Sequence, residues 1–156
     1  MILTMIIIDF QSKCPKYKKK AITAAAWFAF NTLMPRTRKP IFINIRTIRN
    51  LAEKKGIYGD VMDEGDREFT IRIDVSLPLD DLISTMLHEM VHVWQYVIRR
   101  MVSGWVHEVR FNKKVYSSDM PYDERPWEVE AHRKEKELKG KYDVESNKRR
   151  TYIKRD

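Results

Sequence analysis

Residues 80–101 read DDLISTMLHEMVHVWQYVIRRM and decide how the rest of the chain is interpreted. Apolar residues recur through this stretch at helical spacing, and near its middle they cover most of the circumference, which is typical of a buried helix. Asp80 and Asp81 suit the first turn, where the helix dipole favours a carboxylate. The sequence therefore predicts a long helix that begins after Pro78 and lies in the core.

Three polar residues interrupt the apolar surface of this helix. His88 and His92 are four residues apart, so both imidazoles leave the same face and can bind one metal ion. Glu89 lies beside them. Burying these three polar side chains costs free energy unless hydrogen bonds or a bound metal ion replace their contacts with water. The pattern H-E-x-x-H is the arrangement of zinc peptidases, in which the glutamate takes a proton from zinc-activated water. We therefore expect Zn²⁺ as cofactor, His88 and His92 as ligands and Glu89 as the catalytic base.

The remaining segments predict an α+β domain. Residues 2–10 and 40–50 favour strands, and residues 17–34 favour an alanine-rich helix that stops before Pro35. Turn-forming residues 63–66 predict a hairpin, residues 105–111 alternate as a single extended segment, and residues 117–124 are expected to be a loop. A second helix is expected over residues 125–138, with Gly140 after its end.

Composition and charge limit the classes of partner. The chain has 156 residues, a net charge of +8 and one cysteine, Cys14, which excludes an internal disulfide and a cysteine-based zinc ribbon. Ten basic and five acidic residues lie between 133 and 156. We expect one domain over residues 1–140 and a flexible basic tail over residues 141–156. The basic surface is interpreted as solvated, with weak nucleic-acid binding as the alternative. A cytoplasmic location without membrane contact is also expected, because no apolar run is long enough to span a bilayer.

A peptidase of this kind also needs an exposed strand edge beside the metal, where an extended substrate can add main-chain hydrogen bonds. Residues 69–75, FTIRIDV, directly precede the metal-binding helix and alternate apolar and polar side chains. We expect this second arm of the hairpin to provide that edge.

The third zinc ligand is Glu128 or His107, and Glu128 is favoured because His107 stands in a segment that alternates like a strand. Glu128 lies at the start of the second helix, where the small Ala131 would allow close packing and His132 shares the same face for a supporting contact. His107 lies fifteen residues after His92 and is followed by Phe111. Glu124, Glu130 and His132 remain less favoured candidates.

Two family resemblances correspond to these two candidates. H-E-x-x-H at 88–92 followed by E-x-x-A at 128–131 resembles the gluzincin clan, including the minigluzincins and the ImmA/IrrE-like and phage-associated metallopeptidases. That resemblance implies Glu128 as third ligand and a zincin-like fold, with a small, mostly antiparallel sheet packed on the H-E-x-x-H helix and a second ligand-bearing helix. The histidine at 107 with Phe111 resembles the SprT-like proteases, although Glu108 stands where that family has a glycine.

The sequence thus predicts a zinc-dependent metallopeptidase that hydrolyses peptide bonds in a peptide or protein substrate. The alternatives are a SprT-like DNA-associated protease and a catalytically inactive zincin-fold module that binds nucleic acid or protein. Tyr116 or Tyr122, between the two helices, is a candidate to stabilise the oxyanion of the reaction.

Overall fold

A computed structural model describes residues 5–153 and shows an α+β fold with a small mixed sheet and four α-helices in that part of the chain. The four strands of this sheet are β1 (Ile6–Phe10), β2 (Ile41–Ile48), β3 (Gly59–Gly65) and β4 (Glu68–Asp74). The four helices are α1 (Lys16–Leu33), α2 (Leu51–Lys55), α3 (Leu79–Val97) and α4 (Pro126–Ile153). Residues 2–4 of the expected first strand lie outside the described residues.

The sheet has the order β1-β2-β4-β3, and the expectation of a mostly antiparallel sheet is wrong. β1 pairs with β2 and β2 pairs with β4 in parallel, while only the β3–β4 hairpin is antiparallel. The parallel pairing follows from the connections, because α1 links β1 to β2 as a crossover and so returns the chain in the same direction.

The hydrophobic core lies between this sheet and helices α1 and α3. The alternation of β2 and β4 directs their isoleucines into the core, and α1 meets them with alanines, which let the helix approach closely. α3 lies beside α1 and is buried around most of its circumference, as its sequence predicts. The fully buried core residues of these elements include Ile41, Ile43, Ile45, Ile71, Ile73, Ala25, Ala26, Ala29, Met86 and Leu87.

A second sheet of three antiparallel strands follows α3. Its strands are β5 (Met101–Trp105), β6 (Glu108–Phe111) and β7 (Lys114–Ser117). The expectation that residues 105–111 form one extended segment is wrong, because the chain turns between β5 and β6. His107 makes the turn with φ of 63°, a left-handed conformation that no glycine or asparagine signals in the sequence. β7 ends at Ser117, the first residue of the expected loop, and Tyr122–Glu124 within that loop forms a short 3₁₀ helix.

α4 is longer than the sequence indicates. The expected end at Gly140 is wrong, since among the described residues the helix continues through the expected tail to Ile153. The ring of Tyr142 packs edge-on against Phe28 of α1, with ring centroids 5.3 Å apart. Lys139 bridges Asp143, one turn further on, and Asp80 of α3. These contacts outweigh the local cost of a glycine inside the helix.

None of the described helices combines the length and the apolar character needed to cross a membrane.

Candidate metal centre

α3 brings its two histidines to the same point, as their spacing predicts. The His88 and His92 side chains leave adjacent turns of the helix, and their Nε2 atoms lie 3.2 Å apart. Both residues are buried, with 7% and 5% of their surface exposed. The helix therefore presents two imidazole nitrogens towards one shared position in an almost closed environment.

Glu128 reaches the same position from the first turn of α4. Its Oε2 lies 3.0 Å from Nε2 of His88, and its Oε1 lies 3.2 Å from Nε2 of His92. Two neighbours of Glu128 hold α4 close to α3. The small Ala131 is fully buried in the core, and Trp127 packs in a second cluster with Met101 and Phe111. The structure thus brings Glu128 together with both histidines.

The spacing of these three side chains allows them to share one metal ion. The two Nε2 atoms lie 3.2 Å apart, and each lies 3.0 or 3.2 Å from one of the two oxygens of Glu128. One ligand atom from each residue therefore comes close enough to the others to reach the same ion. Two imidazoles and a carboxylate are also a donor set that zinc enzymes use with the fourth position open. The residues present therefore fit a zinc ion.

His107 does not join this group. It lies exposed at the turn between β5 and β6, outside either group of described residues whose ligand atoms come close enough to share a metal. The second such group is His88, His132 and Glu135, which shares His88 with the first and is more exposed. The buried group of His88, His92 and Glu128 is thus the better-formed candidate.

The charges of these side chains favour a negative Glu128 between positive histidines. Burial opposes the charged form of His88, but hydrogen bonds to Glu128 and Glu135 outweigh it and raise its pKa to about 10. Burial likewise opposes the charge of Glu128, yet hydrogen bonds from both histidines hold its pKa well below the usual range. A metal ion entering here would replace the protons that now hold these three side chains together.

Glu89 is the catalytic candidate beside this group. It is 4% exposed, and no described residue donates a hydrogen bond to its carboxylate. Burial raises the pKa of Glu89 to about 7, although the positive charge of His92 and His88 opposes the rise. A carboxyl group with that pKa can accept and return a proton near neutral pH.

Glu135, which the sequence did not single out, contacts the ring nitrogen of His88 that faces away from Glu128. Glu135 of α4 accepts a hydrogen bond from Nδ1 of His88 at 3.0 Å, which leaves Nε2 directed towards Glu128. The sequence suggested His132 for such a contact, but no hydrogen bond joins His132 to either α3 histidine in the described structure. Glu135 follows Glu128 by seven residues, two helical turns, and this spacing on one face is the signal that would have found it.

Of the two tyrosines expected near the site, Tyr122 lies there. Its hydroxyl group donates to Oε2 of Glu128 at 2.8 Å and lies 2.9 Å from Nε2 of His132. Partial burial and the charge of Glu128 raise the pKa of the Tyr122 phenol, so it remains a hydrogen-bond donor. Tyr116 instead packs against the ring of Trp127, with centroids 5.9 Å apart.

The metal-binding residues open into a cleft of about 860 Å³. One wall is the start of β3, and apolar side chains from α3 and the second sheet line the opposite part. The expectation that residues 69–75 supply the exposed edge is wrong, because β4 is paired on both sides. The edge strand is β3, its hairpin partner, whose Gly59 and Asp60 lie beside Glu89 in the cleft.

No protein-family model, curated protein or solved structure matches this chain. Functional inference therefore depends on the arrangement of the side chains.

Proposed function

We propose that the protein is a zinc-dependent metallopeptidase of the zincin type. The observation that carries this proposal is the convergence of His88, His92 and Glu128 within reach of one ion, with the carboxylate of Glu89 beside them. The position of Glu128 supports a gluzincin-like ligand set, and the remote turn that contains His107 argues against a SprT-like one.

The chemistry divides between the metal and the protein. Zinc, when bound, acts as a Lewis acid that lowers the pKa of water towards neutrality and polarises a carbonyl group. Glu89 takes the proton of the attacking water and delivers it to the leaving amine, for which a pKa near neutrality is suited. Glu89 lines the cleft and accepts no hydrogen bond from a described residue, so its carboxylate is available to a water molecule there.

The edge strand β3 supplies the binding surface for the substrate. Its outer backbone groups are free to pair with an extended peptide, which is the recognition mode of β-augmentation. Gly59 packs directly on α3 near Glu89: an added Cβ would lie 3.4 Å from Cγ of Glu89. A peptide paired with β3 would therefore run past the general base and the metal ligands.

Tyr122 is suited to stabilise negative charge on the carbonyl oxygen. Its hydroxyl group faces the ligand carboxylate of Glu128 and stays protonated. Its single proton goes to Glu128 in this structure, so the hydroxyl group would turn from that oxygen to the substrate carbonyl, where its hydrogen bond strengthens as negative charge develops in the transition state. Tyr122 is thus our candidate for the oxyanion donor.

The proposal is tested by peptide hydrolysis with zinc-loaded protein. Glu89→Gln removes the base and keeps the shape of the side chain, so cleavage of an unstructured protein substrate should fall by about 10²–10⁴-fold. Asp81→Asn, an exposed change of the same charge on the same helix, is the matched control and should retain activity. Undiminished cleavage by Glu89→Gln would refute the assignment of the base.

A further inference from the structure

A buried glutamine follows the second histidine of α3 by almost one turn. Gln95 is fully buried, and all its polar atoms are paired. Its Oε1 lies 2.8 Å from Nδ1 of His92, and its Nε2 lies 3.0 Å from both the backbone oxygen of Trp127 and Oε1 of Glu130. The amide therefore connects a candidate zinc ligand on α3 to the first turn of α4.

The chemistry of the partners sets the direction of every hydrogen bond. A backbone carbonyl and a carboxylate only accept, so the NH₂ group of Gln95 must face Trp127 and Glu130 and donates to both. Its oxygen must then face His92, and since that oxygen has no proton, Nδ1 of His92 has to donate. In the form that binds a metal, the imidazole is neutral, keeps its proton on Nδ1 and so has its lone pair on Nε2, the atom that faces His88 and Glu128.

The far end of this chain of hydrogen bonds is anchored. Arg100 donates to both carboxylate oxygens of Glu130, with Nε at 2.9 Å from each and a terminal nitrogen 2.6 Å from Oε2. Arg100 also fixes the chain just before β5, because its backbone N–H bonds to the carbonyl oxygen of Gln95. Arg100 thus holds Glu130 as a hydrogen-bond acceptor. If the side-chain amide of Gln95 were rotated by 180°, its oxygen would face the two acceptor oxygens of Trp127 and Glu130, and both hydrogen bonds would be lost.

We propose that Gln95 is a positioning residue for the metal centre, which fixes His92 in the tautomer and ring orientation that present Nε2 to the metal. This inference rests on the proposed zinc site and adds a contact for His92 to the one that Glu135 makes with His88. Outer contacts of this kind orient metal-binding histidines, and their loss weakens metal binding by about 10–100-fold.

Zinc affinity measured against a competing chelator tests this role without reference to catalysis. Gln95→Met keeps the length of the side chain and removes the acceptor, so zinc should bind about 10–100-fold more weakly. Ile45→Val, in the core away from the metal, is the control for lost stability and should lower the melting temperature while leaving zinc affinity unchanged. If Gln95→Met also melts earlier yet binds zinc like wild type, Gln95 is structural only and the inference is refuted.

A second measurement uses the unmodified protein and does not depend on the folding of a variant. Long-range ¹H–¹⁵N spectra of the zinc-loaded protein should show His92 with its proton on Nδ1 and the metal on Nε2. Metal on Nδ1 would overturn the inference. Wild-type protein that binds no zinc would instead refute the proposed function, so the two failures are distinguishable.

Discussion

Gly59 allows the edge strand to approach the metal-binding helix, and replacing it with alanine tests this packing. A Cβ built there would lie 2.8 Å from the backbone oxygen of Arg72 and 3.1 Å from Cγ2 of Thr85. The first contact is with the backbone of β4, to which β3 is hydrogen-bonded, so the clash cannot be relieved by moving a flexible side chain. The variant must push β3 away from β4 or from α3.

The free-energy cost of that displacement is partly offset by the stabilisation that usually follows when alanine replaces glycine. Overpacking of this kind costs about 1–3 kcal/mol, and reduced freedom of the unfolded chain returns about 0.4–1 kcal/mol. We expect a net loss of about 1–2 kcal/mol for Gly59→Ala, which for a chain of this size lowers the melting temperature by roughly 2–8 °C. Peptide cleavage should fall as well, because the edge moves relative to Glu89.

Gly140 supplies the matched control. It lies inside α4, and an added Cβ would meet nothing within 4 Å. Gly140→Ala should therefore stabilise the protein by about 1 kcal/mol, the difference in helix propensity. Thermal melts followed by circular dichroism compare the two variants. A neutral or stabilising Gly59→Ala would refute the packing of β3 against α3, and no gain from Gly140→Ala would refute the continuation of α4.

Three further outcomes are expected. Glu128→Gln should weaken zinc binding in a chelator competition by more than about 100-fold, beyond the loss expected for an outer contact, whereas Glu137→Gln, exposed on the same helix, should not. Since the pKa of His88 in the metal-free protein is about 10, its proton competes with zinc throughout the neutral range. Calorimetric zinc affinity should therefore rise about tenfold per pH unit for each proton released, and pH-independent binding would contradict this competition. Tyr142→Ala should lower stability in urea titrations by roughly 1–3 kcal/mol through loss of its contact with Phe28, and an unchanged midpoint would mean that this end of α4 does not pack.

Local patterns were enough to predict the elements that carry the site. The spacing of His88 and His92 is a property of any α-helix, so their convergence could be predicted from the chain alone. Alternation of apolar and polar residues likewise predicted the strands at residues 41–48 and 68–74, because this pattern depends only on which face of the strand each side chain occupies. Glu128 was favoured over His107 because His107 stands in a segment that alternates like a strand, and the position of Glu128 depends on how α4 docks.

Features that depend on distant partners were not accessible in this way. Alternation does not distinguish a central strand from an edge strand, so β4 was assigned the role that belongs to β3. The roles of Glu135 and Gln95 require the register of α4 against α3, which no single segment encodes. Gly140 signals a helix end locally, but packing of Tyr142 on α1 overrides that signal.

X-ray absorption at the zinc edge on protein loaded with zinc and freed of excess metal tests the central claim most directly. The account predicts one zinc ion per chain, bound by two imidazole nitrogens and a carboxylate oxygen, with loss of one imidazole in His88→Ala. A chain that retains no stoichiometric zinc, or a zinc ion whose ligands do not change in His88→Ala, would contradict it.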